Sequence, residues 1–446
     1  MNEQTPDDET VFVSKGMQPV PTDNVDPLSD LRQAAEAGDA TAQVTLGISL
    51  REGKRVAKGC AEALKWFQKA AEFGDARGRN ALGVAYEQGE GVKKDYATAL
   101  KWYLMAAEQG YAPAQTNAAL AYQRGAGAPR DKIKSEKWFR LAAAQGDSRA
   151  MFWLGRMFDD ALGNGGDNAE ACKWYLAAAQ KGYAPAQFHL GFILLPGYGL
   201  ASDANEAARW LLAAAEQGHS RAQLNLGLLL SEGEDLSIRN GSESVKWLRK
   251  VAEQQPSLRG SLNWSSSAQE LLGEIFASGE VVATDYIEAK KWFLLAAQNG
   301  RSGAKFRLGD LYAYGHGVPK NEEQAQKWYR EAAEKGSFDY AFRLAKKFQE
   351  GEGLRRDFPE AVYWFRIAAR FCEKAQFELG SMYFRGDGVP KDFVWAHVWW
   401  NIAAAAGHFE ARQRLVAAEI NMTTEQKAEA MKLARDLYAT LPAGGG

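Results

Sequence analysis

Apolar residues return along this chain in short helical runs, and the runs themselves repeat. Alanine, leucine and aromatic positions recur three and four apart, as in Ala186, Leu190 and Leu194, the period of an amphipathic helix with one buried stripe. The Leu-Gly pair of TLGISL comes back with its second position at Gly47, Gly83, Ala119, Gly155, Gly191, Gly227, Gly273, Gly309, Ala345 and Gly380. The spacing is 36, apart from one step of 46 and a final one of 35. Tryptophan counts the same ten units independently, at Trp66, Trp102, Trp138, Trp174, Trp210, Trp247, Trp292, Trp328, Trp364 and Trp399.

Two helices per unit follow from the punctuation. Seven residues before each tryptophan stands a short polar side chain that can accept from the free N–H groups of a first helical turn: Asp95, Asp131, Asp167, Asp203, Asn240, Asp285, Asn321, Asp357 and Asp392, with Gly59 the exception. Eight residues after the tryptophan comes a helix-ending glycine in most units: Gly74, Gly110, Gly146, Gly182, Gly218, Gly300, Gly336 and Gly407. Between the helices lies a GxGV turn, as in Gly89–Val92, Gly315–Val318 and Gly386–Val389, whose glycines are read as positive-φ positions because no strand precedes them as a dinucleotide-binding loop would need. The Leu-Gly glycine and pairs such as Ala70-Ala71 let backbones approach, and the tryptophan is expected to fill the space beside them. One helix pair cannot bury its apolar face alone, so the units must stack. The expected fold is an all-α solenoid of about ten helix-turn-helix repeats.

The ends depart from the repeat. Residues 1–26 carry six acids and one lysine, a net of -5, and are expected to form a disordered tail; the solenoid is expected over 27–408 and capping helices over 409–440. Asp30 to Gly38 reads as a lone second helix, and Phe409 to Ala418 and Thr424 to Tyr438 as two more helices. The long step falls on Gln255 to Ser267, an insertion in which Trp264 stands among serines and is read as exposed on a polar loop; the turn before it, Glu234 to Gly241, also departs from GxGV.

Composition removes whole classes of function. With 54 Lys and Arg against 56 Asp and Glu there is no basic footprint for nucleic acid. No stretch reaches the roughly 18 apolar residues of a bilayer span, so membrane insertion is not expected, and the amino end lacks a signal-peptide pattern, giving a cytoplasmic expectation. Cys60, Cys172 and Cys372 have no CxxC spacing and are read as buried free thiols. No HExxH, GxSxG, Walker loop or paired-carboxylate motif is present, and the five histidines are scattered, so neither an enzyme nor a cofactor or metal is expected.

The pattern AxAQxxLGxxYxxGxGVxxDxxxAxxWYxxAAEQG resembles the Sel-one-like repeat (SLR) family, relatives of the tetratricopeptide repeats, over about residues 27–435. One unit matches nearly every motif position, from Tyr86-Glu87-Gln88-Gly89-Glu90-Gly91-Val92 through Trp102-Tyr103 to Ala106-Ala107-Glu108-Gln109-Gly110. The resemblance implies a right-handed α-solenoid, a bacterial source, and a scaffold or adaptor role toward a partner protein or peptide. An inhibitor or immunity-type protein neutralising a toxin or enzyme is the alternative reading. A hydrolase of the cysteine-rich repeat type is the second alternative, and the absence of paired cysteines argues against it.

If the first helix of each unit lines the groove, residues two before, one after and five after the Leu-Gly position share its open face. That stripe reads Asn117, Leu120, Arg124; Trp153, Arg156, Asp160; His189, Phe192, Pro196; Asn225, Leu228, Glu232; Leu271, Glu274, Ser278; Arg307, Asp310, Tyr314; and Arg343, Lys346, Glu350. Its middle is apolar with bordering arginine, the composition of a binding hot spot, or else the packing of adjacent units in a tightly wound array. Self-association of the array is compatible with the same surface.

Overall fold

The structure, a computed structural model, describes residues 28–53, 59–159, 167–195, 203–232, 239–254, 262–335 and 337–441. The expected acidic tail, most of the turn at 234–241, the insertion's first residues 255–261, and Asp160, Pro196 and Gly336 lie outside that range. Every regular element among the described residues is an α-helix. They divide into two compact units, residues 1–181 and 182–446.

In the first unit α1 (Ser29–Glu36) precedes four helix pairs: α2 (Ala40–Glu52) with α3 (Cys60–Glu72), α4 (Ala76–Gln88) with α5 (Tyr96–Ala107), α6 (Ala112–Arg124) with α7 (Lys132–Ala144), and α8 (Ser148–Phe158) with α9 (Asn168–Gln180). In the second unit six pairs follow: α10 (Ala184–Ile193) with α11 (Ala204–Glu216), α12 (Ser220–Glu232) with α13 (Gly241–Ala252), α14 (Leu262–Ser278) with α15 (Tyr286–Gln298), α16 (Ser302–Tyr314) with α17 (Glu322–Lys335), α18 (Phe338–Glu350) with α19 (Phe358–Ala368), and α20 (Glu373–Arg385) with α21 (Phe393–Ala405). Then come α22 (Phe409–Glu419) and α23 (Thr424–Thr440), both packed on α21, the latter opened by a reciprocal Thr423–Gln426 capping box. The chain is an all-α solenoid: each pair is a hairpin, and within each unit the second helix of a pair packs on the first helix of the next, as α3 on α4 and α15 on α16.

The punctuation works as the residue types require. Asp95, Asp131, Asp167, Asp203, Asn240, Asp285, Asn321, Asp357 and Asp392 all accept from first-turn N–H groups, and Gly59 makes no such bond. In the GxGV turns Gly89 and Gly91 take φ of 77° and 73°, and Gly386 and Gly388 take 83° and 71°. Cys60, Cys172 and Cys372 are free thiols, but half-buried rather than buried.

The core corrects one expectation. The tryptophans do not fill the space beside the Leu-Gly glycine; the residue after each one does. A Cβ at Gly83 would stand 2.5 Å from the Tyr103 ring, at Gly273 2.5 Å from Phe293, and at Gly380 2.5 Å from Trp400. Phe67, Tyr103, Phe139, Tyr175, Leu211, Leu248, Phe293, Tyr329, Phe365 and Trp400 are all buried, while five of the ten marker tryptophans are only half-buried. The marker ring lies over its own helix instead: the indole N–H of Trp174, Trp292 and Trp364 donates to Glu170, Glu288 and Glu360, one turn earlier, at 2.8, 3.0 and 3.1 Å. Neighbouring repeats are also tied by buried glutamines. Gln115 Nε2 donates to the Ala107 carbonyl that ends α5 of the preceding repeat, and its Oε1 accepts from Gln145 at the end of α7 in its own repeat; Gln223, Ala215 and Gln254 repeat the arrangement.

One cap titrates. His219 Nδ1 accepts from Ala222 N at 3.2 Å, and the ring stacks on Phe188 at 4.8 Å. Burial, assisted by the Arg221 charge, lowers its pKa below the usual value. A folded-state pKa below the unfolded one leaves the stabilisation intact above about pH 6.5 and removes it as the pH falls, because protons then bind the unfolded chain preferentially. Urea midpoints should therefore drop between pH 7 and pH 5 more in the wild type than in His219→Asn, which keeps a cap without a titrating ring; parallel slopes would rule this out.

Candidate partner-binding surface

The first helices contact one another along each unit, α2 with α4 and α4 with α6 in the first, α10 with α12, α12 with α14 and α14 with α16 in the second. Their open faces therefore form a continuous inner strip within each unit, on which the stripe residues sit at different depths.

In the first unit Asn117 is a bridging residue. Its Nδ2 donates to Asn80 Oδ1 at 2.9 Å, and its Oδ1 accepts from Arg149 at 3.5 Å, so one polar ladder joins α4, α6 and α8. Leu120 is 7% exposed and faces the core, which removes it from the open surface: one residue past the Leu-Gly position already turns inward there. Trp153 and Arg156 are half-buried, with the guanidinium 5.5 Å from the indole centroid. They line a pocket of 290 Å³ together with Tyr122, Arg130 and Lys132.

In the second unit the apolar stripe residues are packing residues. Phe192 packs on the cluster around Phe188 and Leu211. Leu228, Leu271 and Trp264 pack on the cluster around Leu248 and Leu272. Trp264 is thus not on a polar loop: residues from 262 onward form α14, and its half-buried ring lies 5.1 Å from the Arg221 guanidinium. The serines that looked like a loop are helical, and Ser265 and Ser266 are buried. His189 stands edge-on to Phe188 at 5.3 Å, and Asn225 donates to the Arg221 carbonyl at 2.7 Å.

Further along, the stripe opens. Arg307 and Tyr314 are exposed and line a pocket of 430 Å³ shared with Glu274, Asp310, Lys347 and Glu352, built from α14, α16 and α18, with α15 and the turns after α16 and α18 contributing to its wall. Lys347, 9% exposed, lies 3.1 Å from Asp310 Oδ1 and donates to Tyr314 OH at 3.3 Å. Tyr329 donates to the same Asp310 oxygen at 2.7 Å, and Tyr314 to Glu352 at 2.9 Å. Burial works against the Lys347 charge, but Asp310 outweighs it and holds the ammonium above its ordinary range. Burial pushes the Glu274 carboxyl up, with Arg307 opposing at 3.4 Å. The Tyr314 hydroxyl is pushed up by burial and by its bond to Glu352. Beyond the pocket, Arg343 is exposed and paired with Asp339 at 3.2 Å, and Lys346 is half-buried between Glu350 and Glu378 at 2.7 and 3.3 Å. The second pocket is a fixed lattice of opposite charges around aromatic rings, suited to hydrogen bonding and charge recognition. Among the described residues no group of three or more His, Cys, Asp or Glu is placed to hold a metal ion, and no helix is long and apolar enough to cross a membrane.

The model of the Sel1 repeat matches ten consecutive segments: 40–75, 76–111, 112–147, 148–183, 184–219, 220–256, 266–300, 302–337, 339–370 and 373–408. The chain belongs to the Sel1 repeat family. Among solved structures it is similar to a protective antigen of uropathogenic Escherichia coli with an SLR fold, at 31% identity over 93% of this chain and 94% of that one, with a TM-score of 0.58. It is also similar to a Sel1 repeat protein from Oxalobacter formigenes, at 30% identity over 65% of this chain and 99% of that one, with a TM-score of 0.41. No curated protein matches the chain. Sel1 repeat proteins generally mediate protein–protein contact.

In this Sel1 array the sequence reading missed Lys347, Glu352 and the Arg130–Lys132 pair. Lys347 follows a stripe position and looks like a surface lysine; only Asp310, 37 positions earlier, makes it a buried one. Glu352, Arg130 and Lys132 sit in or beside the inter-helix turns, where the repeating glycines report backbone conformation alone.

Proposed function

We propose that this chain is a protein-interaction scaffold that holds a partner protein or peptide against the open faces of its first helices, with α22 and α23 capping the array. The observation that supports this is the 430 Å³ pocket, because it spans three successive first helices and offers exposed Arg307 and Tyr314 beside a preorganised network. A polar network already held together by its own ion pairs needs little reordering when a partner docks, and exposed tyrosine and arginine are the side chains that most often anchor such contacts. Phe192, Leu228 and Leu271 have given their apolar area to packing between repeats and are not proposed as anchors.

The test is affinity capture from the native host with wild type, Arg307→Ala/Tyr314→Ala, and a Leu228→Ala control, each checked for helix content. A partner held by wild type and reduced at least about tenfold by the folded double variant is expected, since losing two anchors costs at least 1–2 kcal/mol. Equal capture by all folded variants would remove the inner strip of the second unit as the binding face.

A further inference from the structure

The pocket in the first unit differs in charge from that in the second. Around its 290 Å³ stand Arg130, Lys132 and Arg156, against a single acid, Asp131. That acid is committed elsewhere: its carboxylate accepts from Lys134 N at 2.9 Å and pairs with Lys134 Nζ at 3.2 Å, and the backbone bond to Lys134 lowers its pKa. Among the described residues Arg130, Lys132 and Arg156 have no ion-pair partner, whereas Arg307, Arg343, Lys346 and Lys347 along the inner strip of the second unit all do. The floor is apolar and aromatic: Trp153, with Arg156 over its ring, Tyr122 and Met157. A guanidinium lying over an indole keeps its in-plane N–H groups free for an oxyacid while the ring face accepts an apolar neighbour. The volume is at the small end of ligand pockets, roughly 300 Å³ and upward, and suits one or two side chains rather than a helix.

We propose that this pocket takes the carboxylate side chain of an acidic residue flanked by an apolar one in an extended segment of the partner. This rests on the scaffold reading and names the partner chemistry for the first unit. Arg156 and Lys132 hold the carboxylate, Arg130 supplies long-range attraction, and Trp153 covers the apolar neighbour.

The probe is the capped tripeptide acetyl-Leu-Glu-Leu-amide, with its Gln counterpart and inorganic phosphate as comparators, titrated into the full chain while the Trp153 indole N–H resonance, assigned with Trp153→Phe, is followed. The Glu peptide is expected to move that resonance and to bind at least about fivefold more tightly than the Gln peptide, with affinity falling as salt is raised. Lys132→Gln/Arg156→Gln should abolish the difference between the two peptides while helix content and thermal midpoint stay unchanged. If that variant unfolds, Arg130→Gln, on the exposed rim, should still reduce the salt dependence. Equal binding of the two peptides, no shift at Trp153, or tighter binding by inorganic phosphate than by the Glu peptide would overturn the proposal. Partner capture that still depends on Arg307 and Tyr314 would then leave the scaffold reading standing, and loss of both would remove it.

Discussion

Replacing Tyr329 by alanine should lower the free energy of unfolding by about 3–5 kcal/mol, the usual cost of deleting a fully buried aromatic ring. The ring is fully buried against Gly309 and Phe306, and its hydroxyl donates to Asp310, which also holds Lys347. Alanine leaves both a cavity and an Asp310–Lys347 pair with one hydrogen bond fewer. Because repeats couple chiefly to their neighbours, hydrogen-exchange protection should fall most in α16–α19 and progressively less toward α23. Tyr329→Phe, which keeps the ring, should cost only about 1 kcal/mol. Urea denaturation gives the magnitudes, and a uniform loss of protection along the second unit would contradict a nearest-neighbour core.

Gly91→Ala should destabilise the first unit by about 2–4 kcal/mol, combining roughly 1–2 for a left-handed alanine with the cost of overpacking against backbone. Gly91 has φ of 73°, and a Cβ there would stand 2.5 Å from the Cys60 carbonyl oxygen at the start of α3. Gly110→Ala is the matched control: its φ is 86°, but nothing lies within 4 Å of the added methyl, so only the conformational cost of about 1–2 kcal/mol remains. Equal losses in the two variants would mean that the close approach of the turn to the preceding repeat contributes nothing.

That pair of glycines shows where sequence reading stops. Both are legible as positive-φ positions, Gly91 from GxGV and Gly110 from its place after a helix. Only the packed structure separates them, because the atom that crowds Gly91 belongs to a residue 31 positions earlier. The tryptophan markers show the same limit. Counting them gave the number of repeats, but Trp102 and Tyr103 are adjacent apolar residues about 100° apart on one helix, and period alone does not say which meets Gly83. Along the stripe the same period does not set depth: Leu120 is buried, and Phe192, Leu228 and Leu271 pack on core clusters.

The sequence by itself determined the class of fold, the ten units, the caps, the positive-φ turns and the membership of a repeat family, because each rests on interactions within a few residues of the chain and is repeated ten times. The tertiary structure alone decided that Trp264 is helical and packed, that the residue after the tryptophan fills the gap at the Leu-Gly glycine, and that Lys347 is a buried partner of Asp310 while Arg130, Lys132 and Arg156 have no ion-pair partner among the described residues. These depend on side chains brought together from the paired helix of the same repeat, as Tyr103 on Gly83, or from a neighbouring repeat, as Lys347 on Asp310, and a charge on one repeat is cancelled or left open by what the next one happens to place opposite it.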